Sequence, residues 1–276
     1  MNCYGNLTRL KSLLDITTTS HDTDLLMLLN VSSREVDKYC HRKFNAESRT
    51  KYYDGASTTL DLSNDDALSV MTLKTDEDGD GTFENSLTEN TDYYLYPLNT
   101  YPKIRVEINS NGNYGGFASG VAKGIQIVGT FGYGDGESAT PYTDSAADVN
   151  SPTSTSGTLI NVDDYTKFAV GETILVDSEQ SYLTAVSTSG GLTVTRAVNG
   201  TTVATHTSDT SVYIYQYPDP VAQATYMTAS RMWKRKDSAY ATVIGEPTLG
   251  PIAVHQGLDP DVKLLLSDYR NIRWAR

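Results

Sequence analysis

Hydrophobic residues recur every three to four positions at both ends of the chain. This spacing predicts two N-terminal helices, the second ending near Phe44. It also predicts helices beginning at Asp219-Pro220 and Asp259-Pro260, because aspartate caps helices and proline is accepted at their first position. The stripes comprise Leu7, Leu10, Leu14, Leu25, Leu29, Ser32, Val36, Cys40, Val221, Ala224, Thr225, Thr228, Met232, Val262, Leu265, Leu266, Tyr269 and Ile272.

Between these helices the hydrophobic period falls to two. Short runs rich in β-branched and aromatic residues predict antiparallel strands from about residue 51 to residue 134. An acidic Ser/Thr/Ala/Pro-rich stretch follows at 136–158, and its composition predicts a linker or a long surface loop. Five further strand patterns up to residue 216 predict a small barrel or sandwich.

These elements predict an α+β fold. We expect the terminal helices, in residues 1–50 and 217–276, to form one helical bundle, because each helix is amphipathic and needs a partner. An antiparallel β domain, 51–135, would project from the bundle. A second small β domain, 136–216, would be an insertion preceded by the linker.

The charge of the chain is strongly uneven. The 276 residues have a net charge of −12, and residues 51–216 alone have −15, while both ends are close to neutral. Such a chain does not bind a nucleic-acid backbone through its overall charge. Two cysteines, Cys3 and Cys40, argue against a disulfide scaffold and favour a reducing compartment. We expect neither a signal peptide nor a membrane span, because no apolar run has the required length.

The clearest candidate for chemistry is the run DEDGDG at residues 76–81. Carboxylates at alternate positions followed by glycine are typical of loops that wrap oxygen ligands around Ca²⁺. Asp76, Asp78 and Asp80 would be ligands, with Glu84 as a further one, but Leu87 stands where a bidentate glutamate is required. The competing interpretation is a metal-free acidic turn between two strands.

No residue pattern predicts an active site. The four histidines lie far apart in sequence, and motifs for nucleotide binding or nucleophilic catalysis are missing from the sequence. The basic group Arg231–Lys236 suits the C-terminal end of a helix. We therefore expect a protein that is not an enzyme and that needs no cofactor, with Ca²⁺ as the one candidate ligand.

Three segments resemble the head–tail connector (adaptor, head-completion) proteins of long-tailed bacteriophages. Leu7–Phe44 is similar to the opening of that family, a Leu-x-x-Leu-Lys helix and a second helix with a distinctive end. Val70–Asn99 resembles the hairpin that follows, and Tyr217–Ser238 resembles the third helix of the family. The helix-end pattern consists of Val36, Asp37, Tyr39, Cys40, Arg42 and Phe44.

The segment between that hairpin and the third helix has a resemblance of its own. Residues 136–216 are extra relative to the connector pattern, and their second half is similar to a small β module of phage structural proteins. The sequence departs from that module at Ala197, where the pattern has glycine. The matching residues are Val170, Gly171, Glu172, Leu192–Arg196, Asn199–Thr202 and His206.

The resemblance implies a structural virion protein at the neck, assembled in the host cytoplasm. It implies a ring of twelve copies that binds the portal protein of the filled capsid, contacts a tail terminator or stopper protein, and extends the DNA channel. DNA would pass without sequence-specific binding. The last helix is a candidate for docking to the portal or to a neighbouring copy. Its anchors would be Leu265, Tyr269, Ile272 and Trp274, and the competing interpretation is that this stripe packs only in its own core.

An alternative function uses the same features differently. The acidic loop, the 19 tyrosines and the inserted β module would also suit a calcium-dependent or glycan-binding decoration or adhesin of the virion. Loss of glycan binding on chelation would distinguish this alternative from the connector.

Overall fold

The computed structural model describes residues 2–236, 243–246, 250–253 and 257–271. None of the helices in this part combines the length and hydropathy that crossing a bilayer requires.

The chain divides into two compact units. The helix–barrel unit comprises Met1–Cys40, Tyr142–Val198 and Thr202–Arg270. The sandwich unit comprises His41–Pro141, Asn199–Thr201 and Asn271–Arg276.

The helices belong to the helix–barrel unit, and local chemistry sets their ends. The Asn6 side chain caps the first helix by accepting a hydrogen bond from the backbone N–H of Arg9 at 2.9 Å. Asp22 and Asp24 occupy the first turn of the second helix, where the helix dipole favours negative charge. The helices are α1 (Leu7–Leu13), α2 (Asp22–Cys40), α3 (Asp219–Arg235) and α4 (Pro260–Leu265).

The sandwich unit contains seven strands in two antiparallel sheets. The strands are β1 (Glu47–Tyr53), β2 (Thr59–Asp61), β3 (Ala67–Thr75), β4 (Asn85–Leu87), β5 (Tyr93–Tyr96), β6 (Arg105–Ile108) and β7 (Ile125–Phe131). One sheet has the order β1-β7-β3-β4 and the other has the order β2-β6-β5. Their inward side chains form one apolar core that includes Leu73, Ile127, Leu60 and Val106, so the two sheets pack face to face.

A buried lysine organises the loop that follows β5. The ammonium group of Lys103 donates hydrogen bonds to the carbonyl oxygens of Pro97, Leu98 and Thr100 at 2.7, 2.9 and 3.0 Å. Burial lowers the pKa of Lys103. These contacts hold the loop in place and present the side chain of Leu98 to solvent.

A six-stranded antiparallel barrel forms much of the helix–barrel unit. Its strands are β8 (Tyr142–Asp148), β9 (Leu159–Asn161), β10 (Thr173–Val176), β11 (Glu179–Val186), β12 (Gly191–Thr195) and β13 (Ser211–Tyr215). The order is β8-β13-β10-β11-β12-β9, and a bridge between Val149 and Val162 joins the two outer strands, so the sheet closes on itself. A separate ribbon pairs β14 (Val243–Glu246) with β15 (Gly250–Ala253).

The segment 136–158, whose composition predicts a linker, contains strand β8. Ser145 and Ala147 of β8 are buried. The Ser145 hydroxyl is satisfied by the carbonyl oxygen of Val212 at 2.5 Å. Small side chains of β8 therefore fill part of the barrel interior, although the composition of this segment is typical of a linker that has no core.

The helices pack against the barrel as well as against one another. Leu10 of α1, Leu25 and Leu29 of α2 and Ala229 of α3 share one buried cluster with Tyr182 of β11. The Tyr182 hydroxyl and the Cys3 thiol lie 3.3 Å apart inside the same cluster. Several tyrosines thus serve as packing residues of this unit.

The predicted fold class, a helical bundle formed by the N- and C-terminal helices, is wrong. The described part of the chain is mostly β, with four sheets and four helices. Helices α1 and α4 have only seven and six residues. Most positions of the α1, α2 and α3 stripes are buried, but part of their partner surface is the outside of the barrel, as Tyr182 shows. The fold remains α+β only in the loose sense that it contains both element types.

Candidate cation site and contact residues

The acidic loop joins β3 to β4 and folds around the carboxylate of Asp76. That side chain is 3% exposed, and its two oxygens accept hydrogen bonds from the backbone N–H groups of Gly79 and Gly81 at 2.7 and 2.9 Å. Both glycines have positive φ, at +79° and +91°, a conformation in which glycine avoids the strain of a side chain. The sequence DEDGDG therefore makes a tight loop with carboxylates on its inner side.

Four carboxylates of this loop converge. One oxygen from each of Asp76, Asp78, Asp80 and Glu84 lies within 4.8 Å of the others, and all except Asp76 are exposed. Ligand oxygens on one Ca²⁺ lie about 2.4 Å from the ion, so two of them are at most about 5 Å apart. The donor set is thus compact enough for a single hard cation, and the predicted convergence of Asp76, Asp78 and Asp80 is confirmed.

The structure also explains why the calcium pattern lacks its last ligand. Leu87 is buried in β4 and contributes to the core of the sandwich unit. The loop is flanked by strands, as the sequence predicts, and the Glu84 carboxylate accepts a hydrogen bond from the Glu77 N–H at 3.2 Å. A cation here would lack the bidentate glutamate that completes an EF-hand site.

Comparison with known proteins yields no relative. Neither a family model, nor a curated protein, nor a solved structure matches this chain.

Every residue of the helix-end pattern is buried, hydrogen-bonded or ion-paired in the structure. Val36, Cys40 and Phe44 are completely buried. The Asp37 carboxylate accepts a hydrogen bond from the Tyr4 hydroxyl at 2.5 Å, and the Tyr39 hydroxyl donates to the carbonyl oxygen of Lys263 at 3.4 Å.

Arg42, the remaining member of the pattern, forms a buried ion pair in the sandwich unit. Its Nε lies 3.3 Å from Oδ2 of Asp66, and its guanidinium lies over the ring of Tyr133. Burial raises the pKa of Asp66 to about 6, because the attraction of Arg42 only partly offsets desolvation and Asp65 adds repulsion. Nothing in the sequence indicates that Asp66 is buried and paired, since it lies beside a turn in a region with many acidic residues.

The module-like segment contains a buried polar network around Glu179. Arg196 donates two hydrogen bonds of 2.6 Å to the Glu179 carboxylate. His206 lies between this carboxylate, at 3.2 Å, and that of Asp177, at 2.7 Å. Burial opposes ionisation of Glu179, but the hydrogen bonds from Arg196 and two backbone N–H groups outweigh it and lower its pKa. Arg196 and His206, which belong to the module-like pattern, therefore serve a structural role in this buried network. Glu179, at its centre, was not among the residues singled out from the sequence.

The predicted docking residues are only partly visible. Leu265 is 36% exposed and Tyr269 is half-buried, whereas Ile272 and Trp274 lie outside the described residues. Leu264, which the helical stripe omitted, is 75% exposed. Leu264 lies on the face of α4 opposite the buried residues Val262 and Leu266. A leucine on the polar side of this helix is the sequence signal that could have identified it as an exposed contact residue.

Proposed function

We propose that this chain is a structural connector at the neck of a long-tailed phage virion. In this role copies of the chain form a ring between the portal protein and the tail-side terminator or stopper, and DNA passes through the ring. The observation that carries the proposal is the helix-end pattern from Val36 to Phe44. Its residues resemble those of the connector family, and each of them is engaged in packing or pairing in the structure.

The distribution of charge supports a channel through which DNA passes without being held. Residues 51–216, which include most of the sandwich unit and the whole barrel, have a net charge of −15. A surface with this charge repels the phosphate backbone, so a passing genome would not be gripped.

The exposed leucines of α4 support a docking role for the C-terminal region. Leu264 and Leu265 present apolar surface on a short helix whose other side is anchored by Val262 and Leu266. Apolar anchors on a preformed element are typical of docking surfaces. We assign Leu264, Leu265 and Tyr269 to contact with the portal.

The test uses electron microscopy of particles made by a phage with an early stop codon in this gene. Filled or leaking heads beside complete free tails are the expected result, because the joint would be missing. Whole tailed particles that fail to adsorb would contradict the connector role and favour the adhesin alternative.

A second experiment tests the docking residues on the full chain. The variant L264D/L265D should no longer attach to portal-bearing heads, because charge replaces the apolar anchors. L13D is the matched control, since Leu13 is also exposed and lies on a different helix. Attachment of L264D/L265D at the level of the wild type would refute the docking assignment.

We further propose that the acidic loop binds Ca²⁺ as a structural ion. The supporting observation is the convergence of four carboxylates within 4.8 Å. Oxygen ligands and a high negative charge favour Ca²⁺ over softer metals. The incomplete ligand set, with Leu87 in place of glutamate, leads us to expect weak binding that is completed by water.

A further inference from the structure

A lysine occupies an inward position of the sandwich unit. Lys51 of β1 pairs with Ile127 of β7, whose side chain is completely buried, so both lie on the inner face of the four-stranded sheet. Tyr53, two residues later in the same strand, shares this face and packs against the core of the unit. Strand β1 is at the edge of the sheet, and the Lys51 side chain is only 24% exposed.

The carboxylate of Asp65 meets both of these side chains. It lies in the turn between β2 and β3, where Nζ of Lys51 is 2.5 Å from Oδ1 and the Tyr53 hydroxyl donates a hydrogen bond to Oδ2 at 2.8 Å. The backbone N–H of Asp65 donates to the carbonyl oxygen of Leu62 at 2.8 Å, which fixes the turn. The ring of Phe131 covers the Lys51 ammonium at 4.3 Å, and the Asp65 side chain is 27% exposed. The amine and the carboxyl group therefore touch at a place that excludes much of the water.

We propose that Lys51 and Asp65 form a covalent amide bond between their side chains. The inference goes beyond the proposed connector function and does not depend on it. An N–O contact of 2.5 Å places the nitrogen about 3–3.5 Å from the carboxyl carbon, which is the separation of near-attack conformers. Lysine becomes a nucleophile when its ammonium group loses a proton in a poorly hydrated site.

The reaction is a condensation, so it requires neither an oxidant nor a cofactor. The ammonium of Lys51 first passes a proton to Oδ1 of Asp65, because desolvation of such a pair favours the neutral forms. The amine nitrogen then attacks Cγ, and negative charge moves onto Oδ2 as the N–C bond forms. A second proton moves from nitrogen to Oδ1, the Cγ–Oδ1 bond breaks, and water leaves. One ammonium and one carboxylate thus become one amide and one water.

Two neighbouring groups suit this reaction. The Tyr53 hydroxyl donates to Oδ2, where negative charge develops, as the donors of an oxyanion hole do. Burial and the charge of Asp65 raise the pKa of Tyr53, so this hydroxyl remains a donor. Asp66 is placed to relay the second proton, since its Oδ1 is buried and has no hydrogen-bond partner in the described part of the chain. Burial dominates the pKa of Asp66, but Asp65 and Lys51 also act on it, so the three groups are close together.

A second lysine–aspartate pair provides an internal control. In the helix–barrel unit, Nζ of Lys11 lies 2.6 Å from Oδ1 of Asp22, and the two side chains are 16% and 31% exposed. Contact distance and burial are thus similar in the two pairs. Among the described residues, however, no group donates a hydrogen bond to the other carboxylate oxygen of Asp22. We therefore expect Lys11 and Asp22 to remain an ordinary ion pair.

The test measures the intact mass of the full chain and maps its tryptic peptides, both as purified and after prolonged incubation. The bond should lower the mass by that of one water molecule. Trypsin does not cut after an acylated lysine, so residues 50–74 should stay in one peptide instead of separating after Lys51. Dehydration of Asp65 without the bond would give the same mass but would leave this cleavage intact.

Three variants and the control pair sharpen the expected result. K51R should keep the full mass, because arginine retains the charge but does not lose its proton to become a nucleophile. Y53F and D66N should each form the bond at least about tenfold more slowly, because they remove the donor and the proton relay. Cleavage after Lys11 should proceed normally in every variant. Thermal unfolding checks that each variant is folded, and the wild type should unfold at a higher temperature than K51R, because the bond closes a loop of the chain.

Two results would overturn the proposal. One is a wild type that keeps its full mass and is completely cleaved after Lys51 even after incubation. The other is a loss of water that persists in K51R. Formation of the bond in Y53F or D66N at the rate of the wild type would refute the role assigned to that side chain.

Discussion

Arg196 holds Glu179 through two parallel hydrogen bonds, from Nε to Oε1 and from Nη2 to Oε2, each 2.6 Å long. The Glu179 side chain is fully buried, and the Arg196 side chain is almost fully buried. Two-pronged pairs of this kind fix the orientation of both partners as well as their separation. The pair joins the start of β11 to the loop after β12, and Glu179 also accepts hydrogen bonds from the backbone N–H groups of Ala197 and Ala204.

Removing the charge of Glu179 should destabilise the protein strongly. E179Q leaves the buried guanidinium of Arg196 without its counter-charge, so we expect the free energy of unfolding in urea to fall by about 3–5 kcal/mol. The control E107Q breaks an exposed pair and should change it by less than about 1 kcal/mol. Equal effects of the two substitutions would contradict the structural role assigned to Glu179.

Deprotonation of Asp66 should lower the free energy of unfolding as pH rises. Its folded pKa of about 6 lies above the ordinary aspartate value of about 3.9, so the folded protein binds this proton more tightly than the unfolded chain does. The contribution is most favourable below about pH 4 and is lost as pH rises through about 6, a change of about 3 kcal/mol.

The measurement compares wild type with D66N in unfolding experiments from about pH 4 to about pH 7. The two proteins differ only in this side chain, so the difference between their pH profiles reports on Asp66. We expect the wild type to lose stability relative to D66N as pH rises. A difference that stays constant with pH would show that burial does not shift this carboxyl group.

Calcium should stabilise the protein through the acidic loop. A ligand that binds only the folded state adds about 2.7 kcal/mol when its concentration is a hundred times its dissociation constant, so the thermal midpoint should rise with Ca²⁺ and fall on chelation. D78N/D80N should abolish this response while keeping the side-chain shapes. The control D24N/D209N removes two exposed carboxylates elsewhere and should retain the response. A calcium response that is equal in both variants would assign it to general charge screening.

Replacing Lys103 should loosen the loop after β5. K103M leaves three carbonyl oxygens without their donor, and each unsatisfied group costs about 1–3 kcal/mol when it is buried. We expect a loss of at least about 2 kcal/mol in the free energy of unfolding and faster amide exchange in residues 98–101. K123M, at an exposed lysine, is the control and should lie within about 0.5 kcal/mol of the wild type.

Local patterns in the sequence predicted the features that depend on neighbours in the chain. The spacing of Asp76, Asp78 and Asp80 was sufficient because the loop that gathers them is contiguous. The stripe from Leu25 to Cys40 correctly identified buried positions of α2. Each of these signals involves residues that are close together in the chain, so no knowledge of the remaining chain is needed to read it.

Partners distant in sequence could not be predicted in this way. A hydrophobic stripe indicates that a helix face is buried, but it does not indicate what covers that face. The stripes alone therefore predict a helical bundle, whereas Tyr182 of the barrel supplies part of the cover. Glu179 and Asp66 are similar cases, because a carboxylate that is buried beside arginine looks no different in sequence from one in a solvated turn.

The arrangement of the chain has a consequence for folding during synthesis. Residues 41–141 of the sandwich unit are contiguous, so this part can form as soon as it leaves the ribosome. Leu25 and Leu29 of α2 share their cluster with Ala229, about 200 residues later, so their apolar faces stay partly uncovered until α3 has been made. Helix α2 is therefore completed later than the sandwich residues that follow it in the chain, and slow translation would lengthen its exposure to chaperones and proteases.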